Sequence, residues 1–167
     1  LVFGFQNAFA QREEPNCGIN AWVTDKDPKG LNVRAQPSLK GKIVKTLKRK
    51  DDTDGSIISV YVVGYSNGWL KIGRAENIDG DLLFDDLGWI SAKLVETGTK
   101  GGEEGYDKHI KLYSAANAKS KKLGMIPSEA NVKIAGFKCG WIKVSYEDLT
   151  GWIRDTNICG NPVTTCP

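Results

Sequence analysis

The sequence predicts an all-β chain built as two small barrels in tandem. Three observations carry this: an internal repeat, strand-length apolar segments separated by glycine turns, and no stretch with a sustained helical period. Leu31-Asn32-Val33-Arg34, Val60 to Tyr65, Gly68-Trp69-Leu70-Lys71-Ile72 and Gly88-Trp89-Ile90 form one ordered set. Ile110 to Tyr113, Val132 to Phe137, Gly140-Trp141-Ile142-Lys143-Val144 and Gly151-Trp152-Ile153 form the second. The spacing between matching segments falls from 79 to 72 to 63 residues, so the first copy carries two insertions, one between Leu47 and Val60 and one between Ile72 and Gly88.

The elements follow in order. Residues 1–20 read as a leader, and within it Leu1 to Ala10 resembles the end of a secretory signal, with Ala8-Phe9-Ala10 as a small-x-small cleavage site. Repeat 1 covers 21–97. Leu31 and Val33 alternate with Asn32 and Arg34 as a half-buried strand, and Ile43, Val44 and Leu47 are expected to resume apolar burial. Ser56 to Tyr65 is rich in β-branched and aromatic residues, Ser66-Asn67-Gly68 is a hairpin turn, and Trp69 to Ile72 is the return strand. Glu76 to Asp86 is an acidic hairpin excursion. Residues 98–105, rich in glycine and charge, read as a linker. Repeat 2 covers 106–160 with shorter connections, Ala115 to Lys122 being a loop, and 161–167 is a C-terminal tail.

Parity assigns the hairpin faces. Leu70 and Ile72 share one face with their counterparts Ile142 and Val144, while Trp69 and Lys71, like Trp141 and Lys143, share the other. A face carrying lysine is not the core, so Trp69 and Trp141 are both expected to be at least partly exposed.

Charge and cysteines narrow the function classes. The 167-residue chain has a net charge of +3. Residues 21–98 hold 12 basic against 11 acidic side chains, and 99–167 hold 10 against 7, without the basic excess of a nucleic-acid footprint. No apolar run is long enough to span a membrane. Cys17, Cys139, Cys159 and Cys166 are too widely spaced for a zinc knuckle and fit one or two disulfides, with three pairings open. Such disulfides point to a secreted or periplasmic location. No metal or other cofactor is expected: in Asn77-x-Asp79-Gly80 and Asp86, Ala75 stands where a calcium loop needs its first carboxylate.

Leu-Asn-Val-Arg-Ala-Gln-Pro-Ser at 31–38, Gly-Trp-Leu-Lys-Ile at 68–72 and Gly-Trp-Ile at 88–90 resemble the bacterial SH3-like (SH3b) family. The second copy resembles it more loosely, with Ile-Lys-Leu-Tyr-Ser at 110–114 and Ala116 in place of Pro37. The resemblance implies two SH3-like barrels acting as binding modules, many of which direct cell-wall hydrolases to peptidoglycan. It makes peptidoglycan peptide, or an envelope protein, the expected partner. Trp69 and Trp141 are the leading ligand-contact candidates, because an indole face stacks on sugars or covers a peptide. Asn32, Arg34 and Tyr61 in the first copy, and Tyr113 and Asn117 in the second, are candidates to line a groove beside them. Trp89 and Trp152 read as structural. No catalytic residue is assigned: His109 precedes Cys139 and nothing in the sequence places the two within reach. The alternative expectation is a protein-interaction or inhibitory adaptor that uses the long loops of repeat 1.

Overall fold

The structure, a computed structural model, describes residues 17–50, 56–101, 109–164 and 166. The signal-like residues 1–10, most of the leader and residues 102–105 of the expected linker lie outside the described residues. The first half runs β1 (Ile19–Val23), β2 (Leu31–Arg34), β3 (Ile43–Leu47), β4 (Ile58–Ser66), β5 (Trp69–Asn77), β6 (Leu82–Phe84), β7 (Gly88–Ser91), a 3-10 turn (Ala92–Leu94) and β8 (Val95–Thr99). The second half runs β9 (His109–Tyr113), β10 (Lys122–Pro127), β11 (Asn131–Lys138), β12 (Trp141–Tyr146), β13 (Leu149–Arg154), a 3-10 turn (Asp155–Asn157) and β14 (Ile158–Cys159). All strand pairings are antiparallel, and the described residues contain no α-helix, as the all-β, SH3-like expectation requires.

Local chemistry explains the hairpins. Asn67 and Gly68 take φ of 45° and 83°, the positive pair that a two-residue hairpin needs to match strand twist. Period-two burial follows. Ile58, Val60, Val62, Leu70, Ile72 and Ile90 are buried, and their counterparts Ala130, Val132, Ile134, Ile142, Val144 and Ile153 repeat the pattern. The loops match as closely. Ala35 N–H donates to the Lys42 carbonyl at 2.9 Å and Gly41 N–H to the Ser38 carbonyl at 3.0 Å; Ser114 to Lys121 (2.8 Å) and Ser120 to Asn117 (3.1 Å) repeat both bonds 79 residues later.

The two halves are joined through a strand that both use. The strands hydrogen-bond into one continuous sheet in the order β10-β9-β13-β12-β11-β8-β1-β4-β5-β7-β2-β3, with β14 on β8 and β6 on β5. Buried residues of both halves form one apolar cluster. The junction is β8, which serves twice. It closes the first half by pairing with β1, Val95 opposite Val23 and Glu96 opposite Trp22. It also opens the second half: Val132 lies opposite Thr97 as Val60 lies opposite Ala21. β14 then pairs with β8 as β8 pairs with β1, Ile158 opposite Thr99 and Cys159 opposite Gly98.

Gly98 and Thr99, expected to begin a linker, are therefore buried in a central strand. Composition misled because these residues are selected for close packing and not for freedom. A Cβ at Gly98 would sit 2.8 Å from the Cys159 carbonyl oxygen. The buried threonines satisfy their hydroxyls: Thr97 donates to the Asn20 carbonyl (3.0 Å), and Thr99 donates to the Pro127 carbonyl (3.1 Å) and accepts from Ala130 N–H (2.9 Å).

The edge strands correct a second expectation. Ile43 and Val44 are 46% and 47% exposed, not buried. The β2–β3 register skips Val44, and the β9–β10 register skips Leu123 at the same place, so each copy carries a bulge that strict alternation does not anticipate. Only Leu47 and its counterpart Ile126 return to the core.

Two disulfides settle the pairing left open above. Cys17, just ahead of β1, joins Cys139 in the β11–β12 turn, with Cα atoms 5.3 Å apart, tying the start of the first half to the second. Cys159 joins Cys166, with Cα atoms 5.6 Å apart, and folds the tail back on β14.

A shared strand and a shared core make the halves unfold together. Urea unfolding followed by tryptophan fluorescence and by far-UV circular dichroism should give one coincident transition; two separated transitions would contradict the shared-strand account. Gly98→Ala should lower the midpoint seen by both probes, at a cost of about 1–3 kcal/mol from overpacking. Cys17→Ser with Cys139→Ser should cost about 2–5 kcal/mol.

Candidate functional site

Cross-strand pairing builds one outward row in each half. In the first, Arg34 lies opposite Trp89, Trp89 opposite Lys71 and Lys71 opposite Gly64. In the second, Tyr113, Trp152, Lys143 and Gly136 occupy the same four places. The Lys71 ammonium stands 6.0 Å from the Trp89 ring centroid. Trp89 and Trp152, read from sequence as structural, are half-buried on this outer face.

Trp69 and Trp141 sit at matching positions, one residue past each hairpin turn, but their surroundings differ. Trp69 is half-buried, and its cross-strand partner is Ser91. Trp141 is only 7% exposed, against the expectation that both would be open. Parity had its face right. The cover comes from its own chain: the Tyr113 ring packs edge-on at 5.8 Å between centroids, and the Arg154 guanidinium lies 4.5 Å from the Trp141 centroid. Arg154 is the direct cross-strand partner of Trp141, the place that Ser91 holds opposite Trp69. Among the described residues, no ring or cation is stacked on Trp69.

The other predicted site residues are engaged in holding the scaffold. The Asn32 side-chain oxygen accepts from the Thr46 hydroxyl at 3.0 Å. Arg34 Nη1 donates to the Gly41 carbonyl at 2.8 Å, bracing the β2–β3 loop. Tyr61 is half-buried and packs tightly against Gly18, next to the Cys17 disulfide. Asn117 is exposed, and its side-chain oxygen accepts Lys119 N–H at 2.9 Å, as the Ser38 hydroxyl accepts Lys40 N–H at 3.2 Å in the first copy. The structure thus brings Tyr113 and Trp141 together and does not bring Asn117 to them by any bond or ring contact. Sequence reasoning missed Arg154. The register across the β12–β13 hairpin was the signal that could have found it.

A separate cleft of about 560 Å³ also went unpredicted. One wall is the lengthened β4–β5–β6 region of the first copy, with Ser59, Glu76 and Ile78, and the other is the disulfide-closed tail, with Asn161, Pro162 and Val163. Ile78 and Val163 are 44% and 60% exposed. Glu76 is ion-paired with Arg74. Among the described residues, no group of three or more histidine, cysteine or acidic side chains is placed to hold a metal, and no helix is long and apolar enough to cross a membrane.

The different cover on the two indoles sets different costs for their loss. Trp141→Ala should destabilise the fold by about 3–5 kcal/mol, a buried-aromatic loss, whereas Trp69→Ala should cost clearly less in the same urea titration. Arg154→Ala should cost about 0.5–2 kcal/mol through the lost cation–π contact.

No curated protein shows significant similarity to the chain. Two solved structures from Trichomonas vaginalis are similar in part: "Structure of NlpC2", at 16% identity over 87% of this chain and 49% of that one with a TM-score of 0.34, and "Structure of NlpC1", at 17% identity over 84% and 45% with a TM-score of 0.33. The chain spans about half the length of these structures. Residues 108–158, covering β9 to the start of β14, match the family model described as "Bacterial SH3 domain".

Proposed function

We propose that this chain is a non-enzymatic binding module of the bacterial cell envelope, and that the face around Trp69 of the first half takes a short extended peptide of peptidoglycan. The observation that carries this reading is the asymmetry of the two indoles. The second half, which matches the bacterial SH3 family, has its indole covered by Tyr113 and Arg154, while the equivalent indole of the first half, Trp69, is half-buried with no ring or cation stacked on it among the described residues. A partly exposed indole on a rigid sheet offers contact area that loses little conformational freedom on binding. Two disulfides support an extracytoplasmic, oxidising location. The proposal assigns binding to the first half and gives the second the task of bracing it, so a gain from two linked sites is not part of it.

The ~560 Å³ cleft favours a second reading. Its walls come from the insertion that repeat 1 has and repeat 2 lacks, and from the tail, which suits a protein partner that docks as an inhibitory or adaptor surface. Ile78 and Val163, exposed on its walls, are the apolar residues such a partner would cover.

Retention on purified insoluble peptidoglycan tests the first reading. Wild type should be retained, Trp69→Ala should lose at least about tenfold in retention, corresponding to about 1.4 kcal/mol or more, and an Ile78→Asp/Val163→Asp variant should be retained as wild type. Unchanged retention of Trp69→Ala would remove the reading. Affinity capture from envelope extract tests the second: a partner bound by wild type and by Trp69→Ala, but lost with Ile78→Asp/Val163→Asp, would establish the cleft as the interface.

A further inference from the structure

From the internal repeat we infer that the partly exposed indole of Trp69 is a cation-recognising subsite, filled by an ammonium or guanidinium group of the bound peptide; this rests on the reading that a peptide binds the Trp69 face. The chain carries its own template. At the matching position in the second half, the Arg154 guanidinium sits over the Trp141 ring at 4.5 Å, within the range where the ring quadrupole attracts a cation. The backbone frames agree, since Trp141 and Arg154 are direct cross-strand partners and so are Trp69 and Ser91. What differs is the side chain. Ser91 carries no cation, and the Arg34 guanidinium, at the position that Tyr113 holds in the second half, donates to the Gly41 carbonyl at 2.8 Å. Among the described residues, no cation of the chain takes the place at Trp69 that Arg154 takes at Trp141, and the cation of the ligand would take it.

The neighbouring lysine does not forbid a second positive charge. Lys143 stands beside Trp141 as Lys71 stands beside Trp69, and Arg154 still seats on Trp141. Lys71 is itself turned toward the Trp89 ring. Conversely, a neutral aliphatic side chain would gain only the apolar contact area at Trp69, without the charge–quadrupole attraction.

The experiment uses the whole chain labelled at the five tryptophan indole N–H groups and follows their NMR cross-peaks during titration. The probes are N-acetyl-trilysine amide and the same peptide with its side-chain amines acetylated. Trp69→Phe assigns the Trp69 peak. The charged peptide should shift the Trp69 peak saturably, with at least fivefold weaker binding of the acetylated peptide. Ser91→Arg, which installs the second half's own cation, should abolish the response of Trp69. Arg154→Ser should uncover Trp141 and make its peak respond in turn. Equal shifts from both peptides would overturn the cation subsite while leaving the peptide-binding reading standing. A still Trp69 peak in a protein that peptidoglycan retains through Trp69 would overturn it as well. Neither peptide shift nor wall retention would remove both. A Ser91→Arg variant that responds like wild type, or a Trp141 peak that stays still in Arg154→Ser, would show that the second half is no template.

Discussion

The fold depends on one strand that two halves must share. β8 closes the first half against β1 and opens the second against β11 and β14. Small repeats bury too little surface to be robust alone. Sharing a strand spares each half an exposed edge and joins the apolar interiors into one cluster. The constraint shows in side-chain choice: Gly98 where Cys159 comes close, and Thr97 and Thr99 where hydroxyls must reach backbone carbonyls. The Cys17–Cys139 bridge spans the same junction from outside the sheet.

Once the halves are fused they are free to differ. Both keep the outward Trp–Lys–Gly row, the bulge at Val44 or Leu123 and the hydrogen-bonded loop after the second apolar strand. They part at two positions that face an indole. Tyr113 and Arg154 cover Trp141, whereas Arg34 braces its loop, Ser91 is short, and among the described residues Trp69 is half-buried with no ring or cation stacked on it. The insertions of the first copy add a further difference, since they build one wall of the cleft against the tail.

Much of this was legible in the residues. Strand positions, the Asn67-Gly68 turn and the buried faces at Leu70/Ile72 and Ile142/Val144 follow from β periodicity and turn chemistry, which are local. The repeat exposed both insertions, and the matched spacings located the equivalent loops. The errors share a cause. Exposure of Trp141, burial of Ile43 and Val44, and a linker at Gly98 were all inferred from a residue's own neighbours in sequence. Each was decided by something distant: Arg154 across a hairpin, a bulge in strand pairing, and Cys159 of β14 lying over Gly98. The polar signature residues show the same limit. Asn32 and Arg34 point outward as parity requires, but their bonds to Thr46 and Gly41 become visible only when the strands are paired.

The sequence by itself determined an all-β chain of two related halves, because apolar alternation, glycine turns and a repeated order of motifs act over a few residues at a time. Only the tertiary structure decided that the halves share a strand, that Cys17 bridges to Cys139, and that one indole is sealed under Tyr113 and Arg154 while its twin is only half-buried. Those outcomes depend on which side chains meet across the sheet, and that is fixed by register and close packing between segments far apart in the chain.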